Sequence, residues 1–169
     1  AASDVYKRQL NIKGQPKKLL LNWEYRYPVG QYMLSVPAGL IDKGDWNNPN
    51  ALVDTAIREL KEETGIEVEE SDEIKVVSPC VFSTPGMTDE GNALVYISIN
   101  RDEMPKMNHD GAEGSEVFEG FRLVSKEDAE EYLCKGRDEH GMYYPLFTWA
   151  ALMFFMGAVS YTHLTLPTI

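Results

Sequence analysis

Apolar and polar residues alternate in segments along this chain, and the segments predict a sequence of strands and helices. KLLLNWEY at Lys18–Tyr25 and QYMLSVP at Gln31–Pro37 flank a Tyr-Pro-Val-Gly turn and predict two strands. The Gly-, Asp- and Asn-rich stretch Gly39–Asn50 predicts a loop. A helix is expected from Asn50 to Thr64, with Gly65 where a left-handed cap is wanted. Glu73–Phe82, Asn92–Ile99 and Glu116–Val124 predict further strands, and Arg101–Ser115 a mobile loop. Ser125, with Asp128 three residues on, is a capping-box signature for a short helix to Cys134. A final apolar helix is expected from Pro145. Strands interspersed irregularly with helices imply an α+β fold, a mixed β-sheet sandwiched between α-helices.

The helix before Gly65 carries an unusual pattern. At about 100° per residue, Val53, Ala56, Ile57 and Leu60 gather into one apolar stripe. Glu59 and Glu63 lie about 40° apart on its flank, while Glu62 points further toward solvent, one turn from Arg58. Like charges at these spacings cost about 0.2–0.5 kcal/mol per pair. A solvated acidic face is the ordinary explanation. The alternative is a hard-cation site, because magnesium prefers oxygen ligands and keeps waters that leave room for substrate phosphate.

Composition narrows the partners. With 169 residues, 43% of them hydrophobic, one domain with a substantial core is expected. A formal charge of −11 argues against a nucleic-acid binder, which needs a basic face, but allows an anionic small substrate met through a metal cation. Cys80 and Cys134 show no framework spacing, so a reducing cytoplasm is the expectation, and Cys80 reads as a buried hydrophobe. No signal peptide opens the chain. The apolar run from Pro145 to Ala158 falls short of the roughly 20 residues of a membrane span, so no membrane partner is expected.

Both ends differ in character from the rest. AASDVYKRQ, residues 1–9, can be back-translated into a DNA string whose reverse complement, in another frame, encodes VSYTHLTL, residues 159–166. That string resembles a transposase-type sequencing-library adaptor. On this reading residues 1–9 and 159–169 are adaptor-derived tails, and residues 10–158 form the domain, truncated at both ends.

The helix core RELKEETGI, Arg58 to Ile66, resembles the diagnostic half of the Nudix box, Arg-Glu-apolar-x-Glu-Glu-x-Gly-apolar. VPAGLID, from Val36, is similar to the entry to that box in ADP-ribose pyrophosphatases. STPGMTDE, from Ser83, resembles the Pro-Gly loop of that subfamily, and EYRYPVG, from Glu24, also fits. Two features depart from the pattern. Pro85 lies twenty residues beyond Gly65, further than the subfamily usually places it. The glutamate of the box is absent, whether counted from Gly39 or, strictly back from Arg58, at Asn50 with Gly44 as the glycine. Counted from Gly39, the glutamate of the box is replaced by Asp45, and twelve residues separate it from Arg58, with WNNPN read as part of a surface insertion.

The resemblance implies a Nudix fold and Mg2+-dependent hydrolysis (Mn2+ being a possible substitute) of a pyrophosphate bond. The expected substrate is ADP-ribose or a related nucleoside diphosphate sugar, and the expected products are AMP and ribose 5-phosphate. It implies Glu59, Glu63, then Glu62 and the Ala38 carbonyl as metal ligands, with Arg58 orienting the carboxylates. Glu116 is the preferred general base and Glu113 the runner-up. Arg26 would contact a phosphate, and Pro85 and Gly86 would shape the wall against the terminal ribose. Each has a plainer alternative: a helix salt bridge for Arg58, loop charges for Glu113 and Glu116, a strand-edge cation for Arg26, a tight turn for Pro85–Gly86. Trp23 and Trp46 are candidates for stacking on adenine, although a core or interface role is commoner for tryptophan. His109, His140 and His163 are given no role. The alternatives are a GDP-mannose-type pyrophosphatase and a Nudix domain that senses ADP-ribose without cleaving it. The family also implies a homodimer in the full-length parent.

Overall fold

The structure, a computed structural model, describes residues 3–41, 43–45, 47–111 and 117–157. Its strands are β1 (Ser3–Ile12), β2 (Lys18–Arg26), β3 (Gln31–Ser35), β4 (Ala38–Leu40), β5 (Glu73–Phe82), β6 (Gly91–Arg101) and β7 (Phe118–Val124). The helices are α1 (Ala51–Thr64), α2 (Lys126–Lys135) and α3 (Leu146–Gly157).

Among the described residues all seven strands join one sheet, with β3-β2-β1-β6-β5 as its main path, β4 pairing with β1 and β7 with β2. β1 runs parallel to β6 from Ser3 opposite Asn92 to Ile12 opposite Arg101, and the other pairings are antiparallel. The sheet is therefore mixed, as expected. Residues 3–9, read from the sequence as part of a tail, contribute most of β1.

Alternation along β2 divides the core in two. Leu19 and Leu21 face α2 and α3, where they pack with Leu34, Val124, Tyr132, Leu152 and Phe155. Leu20 faces α1 and joins Leu10, Ala56, Leu60, Val95 and Ile97. The carboxylate helix thus covers one face of the sheet and the C-terminal helices the other. Among the described residues, no helix is long and apolar enough to cross a membrane.

Both helix signals read from the sequence are present. Gly65 caps α1 in the left-handed region at φ 70°, with its N–H donating to the Lys61 carbonyl. Ser125 and Asp128 make the reciprocal capping box of α2. Three expectations are corrected. The loop Gly39–Asn50 includes a short strand, β4, and a 3-10 turn at Lys43–Asp45. Cys80 is exposed, because β5 is an edge strand whose register shifts between Ser78 and Val81. The buried face of α1 is rotated from the expected stripe: it comprises Ala51, Thr55, Ala56, Glu59, Leu60, Glu63 and Thr64, and Val53 and Ile57 are only half-buried.

At the far end of β6 from Gly91, Arg101 joins the strand to the segment after α1. Its guanidinium donates to both carboxylate oxygens of buried Asp72, at 2.6 and 3.0 Å, and to the Glu67 carbonyl. Burial opposes ionisation of Asp72, but Arg101 and the backbone N–H groups of Glu69 and Asn100 outweigh it and hold the carboxyl below its ordinary value. The contribution of this pair is complete above the unfolded carboxylate pKa of about 3.9 and is lost as pH falls through the lower folded value. Asp72→Asn should destabilise the fold by about 3 kcal/mol at neutral pH, the order found when one partner of a buried pair is removed. Urea unfolding of both proteins across pH should show the difference shrinking in acid.

Candidate active site

α1 delivers its two innermost carboxylates to residues of β1, β2 and β4. Glu59 and Glu63 are 6% and 3% exposed. The path of β4 at Gly39 lets Glu59 lie so deep. A Cβ built on Gly39 would run into the Glu59 carboxylate, so only glycine leaves room for that side chain.

Arg58 holds the outer side of this arrangement. One nitrogen reaches Glu59 Oε1 at 2.8 Å and the Leu40 carbonyl at 3.0 Å, and the other reaches Glu62 Oε2 at 2.7 Å. It thereby ties two of the three glutamates to β4. Glu63 is held from the inside. Its Oε2 meets Arg8 Nη2 at 3.1 Å and accepts from Asn22 Nδ2 at 3.3 Å, while the Ala38 N–H donates to Oε1 at 3.4 Å. The glutamates are thus held by arginines, and among the described residues no three Asp, Glu, His or Cys side chains gather as a ready metal cluster.

Beside Glu63 opens a cavity of about 210 Å³, lined by Glu24, Tyr25, Arg26, Tyr27, Pro28, Ala38 and Glu63. It brings together three residues singled out in the sequence, Arg26, Ala38 and Glu63. Arg26 pairs with Glu24 at 3.0 Å and is 43% exposed. Tyr25 sits edge-on between Tyr27 and Tyr32, with centroids 5.1 and 5.3 Å away. Pro85 and Gly86 lie in an exposed turn closed by the Thr84 carbonyl, which accepts from Met87 and Thr88, and they do not line this cavity. Glu116, Glu113 and Trp46 lie outside the described residues. Trp23 is half-buried on the opposite face of the sheet, edge-on to His140 at 4.8 Å.

Three contributors escaped the sequence reading. Asn22 interrupts the apolar run of β2, and a lone amide in a buried strand is a signal that it has a partner. Arg8 was set aside with residues 1–9. His109 has no ligand spacing, yet its Nδ1 donates to the Glu63 carbonyl at 2.8 Å and its ring stacks on Phe121 at 3.9 Å. Burial pushes its pKa below the ordinary value, although backbone hydrogen bonds to Glu63 and Gly120 oppose the shift. With Asn108, whose N–H donates to the Thr64 carbonyl, His109 fastens the following loop to the end of α1.

The NUDIX domain family pattern matches residues 10–147. The chain belongs to the Nudix family. This Nudix chain is 41% identical over 88 residues to an ADP-ribose pyrophosphatase of Saccharomyces cerevisiae, across 52% of its own length and 34% of the relative's. It is 36% identical over 85 residues to an ADP-sugar pyrophosphatase of Mus musculus, covering 50% of its own length and 35% of the relative's. The matched segment therefore spans about a third of these relatives. Among solved structures, a Caenorhabditis elegans Ap4A hydrolase complex superposes with TM-score 0.56 at 15% identity, covering 94% of this chain and 98% of that one. The NUDIX domain of Shewanella oneidensis NrtR complexed with ADP ribose gives 0.51 at 17% identity, over 77% of this chain and 75% of that one. At such identities the likeness is one of fold, and it agrees with the mixed sheet and flanking helices.

Gly39→Ala should displace the Glu59 carboxylate and lower stability by about 1–3 kcal/mol, the usual cost of overpacking. Thermal unfolding measures the loss, and Gly44→Ala, where an added Cβ meets nothing within 4 Å, should be nearly silent.

Proposed function

We propose that the chain is the catalytic domain of a divalent-metal-dependent pyrophosphatase acting on ADP-ribose or a closely related nucleoside diphosphate sugar. The observation that carries this reading is the cavity beside α1, whose wall includes Arg26, Ala38 and Glu63. The matches to pyrophosphatases of ADP-ribose and ADP-sugars support the substrate class.

The donor set suits a hard cation. Glu59 and Glu63, then Glu62, with the Ala38 carbonyl, offer oxygen only, and the absence of a side chain on Gly39 leaves room for the Glu59 carboxylate against β4. Bound there, Mg2+ (or Mn2+) supplies Lewis-acid neutralisation of the pyrophosphate oxygens. The remaining work falls to the chain. Arg58 fixes the rotamers of Glu59 and Glu62 through its two-headed contact. Arg26 exchanges Glu24 for a substrate phosphate, and Tyr25 and Tyr27 line the cavity beside it. Glu116, with Glu113 as the second choice, takes a proton from the attacking water. The water oxygen bonds to one phosphorus of the pyrophosphate, while the bond from that phosphorus to the bridging oxygen breaks and the other phosphate leaves with that oxygen. Pro85 and Gly86 meet the distal ribose.

A second reading, an ADP-ribose sensor that does not cleave, is favoured by one observation: Glu63 is already ion-paired with a buried arginine. A homodimer in the parent protein belongs to the proposal. So does a cytoplasmic location, which two free, exposed cysteines support.

AMP release from ADP-ribose should require Mg2+ and fall by about 100-fold or more in Glu63→Gln, the order lost when a charge-stabilising group is removed. Glu116→Gln should cost more than Glu113→Gln in kcat. Selective turnover of GDP-mannose would move the substrate. Calorimetric binding of ADP-ribose without AMP release would establish the sensor.

A further inference from the structure

We propose that the sheet face opposite α1 carries a second ligand site, a pocket for a small organic cation with a compact alkylammonium head. This pocket has no part in the pyrophosphatase reading above.

Its volume is about 410 Å³, within the range of small-molecule sites, and Trp23, Tyr32, Glu119, His140 and Met142 line it. Separate local features bring these side chains together. Between β2 and β7, Trp23 pairs with Gly120 but Glu24 pairs with Phe118, so Glu119 is the extra residue of a bulge. A bulge re-aims a side chain, and this one puts an exposed carboxylate into the lining. Gly120 lies directly across from Trp23, and a Cβ there would meet nothing within 4 Å, so the space beside the indole is open. Beyond α2, one oxygen of buried Asp138 accepts from the N–H groups of His140 and Met142, and the Asp138 N–H donates to the Met142 carbonyl. That closed turn presents an imidazole and a thioether together. Tyr32 is braced edge-on by Tyr25, with 5.3 Å between centroids.

The chemistry of the walls selects the occupant. Trp23 and His140 meet at 4.8 Å with their planes 68° apart, so the two rings form a corner. A flat base stacks on a ring face laid parallel to its own, and a corner offers no slot for it. A rounded ammonium head needs only the electron-rich ring faces and a polarizable sulfur around it. Glu119 adds a carboxylate with which, among the described residues, no lysine or arginine pairs. The chain as a whole carries −11, which favours the approach of a cation.

Choline and its uncharged carbon isostere, with a quaternary carbon in place of the nitrogen, test this on the whole chain. Choline should shift the Trp23 indole N–H resonance to saturation with a Kd on the order of millimolar, and the isostere should bind at least about tenfold more weakly. Trp23→Phe assigns the resonance. Glu119→Gln and His140→Ala, both exposed side chains, should each weaken choline by about three- to tenfold. Equal shifts by choline and the isostere would mark a merely apolar groove and overturn the proposal, as would a Trp23 resonance that choline leaves unmoved. Choline affinity unaltered in both variants would overturn it too. AMP, which offers a base and no cation, should leave Trp23 unmoved, and saturable binding of AMP in choline's place would overturn the cation assignment. The isostere comparison needs no variant, so it decides even if a substituted chain fails to fold.

Discussion

Placing Glu59 and Glu63 on the core side of α1 strips water from two like charges, and the resulting desolvation is large unless positive charge and hydrogen bonds offset it. The neighbourhood of the helix is arranged around that need. Arg58 approaches from outside, Arg8 and Asn22 from within the sheet, and the backbone of β4 from the side. Gly39 makes room for one carboxylate, and the loop after β6 is fastened by His109 to the carbonyl of the other's own residue. A helix with an ordinary apolar face would need none of these features. Their convergence gives the site its character: two buried carboxylates fixed in place, one of them on the wall of a cavity.

Much of this was legible in the sequence where the cause is local. The capping box of α2 and the left-handed Gly65 depend on a few adjacent residues and formed as read. β2, β3, β5, β6 and β7 followed from alternation and turn chemistry, with boundaries moving by a residue or two, whereas β1 and β4 were not read as strands. The rotated face of α1 was not legible, because periodicity ranks residues by hydrophobicity and so pushes Glu59 and Glu63 off the buried stripe. The fold instead turns them inward toward partners on β1, β2 and β4. Cys80 failed for a related reason: β5 alternates as a half-buried strand should, but its place at the sheet edge and its register shifts are properties of the assembled sheet.

The candidate site divides along the same line. Glu59, Glu62, Glu63 and Arg58 sit on one helix, so their spacing in the chain is nearly their spacing in space. Arg26 and Ala38 come from separate strands, and motif resemblance rather than periodicity put them on the list. Arg8 and Asn22 carry no motif and meet Glu63 only because β1 and β2 lie side by side under α1. Contacts that join distant parts of the chain through sheet order are invisible until the order is known.

The position of β1 has one more consequence. Its backbone is paired along β6 on one side, and with β4 and then β2 on the other, so main-chain hydrogen bonds hold it on both edges. Such bonds are indifferent to side-chain identity. The centre of the sheet is therefore a place for an extended segment, filled here by Ser3–Ile12. A place of this kind can be loaded in trans. What the sheet demands at this place is an extended backbone paired on both sides, and the side chains that backbone carries are a separate matter.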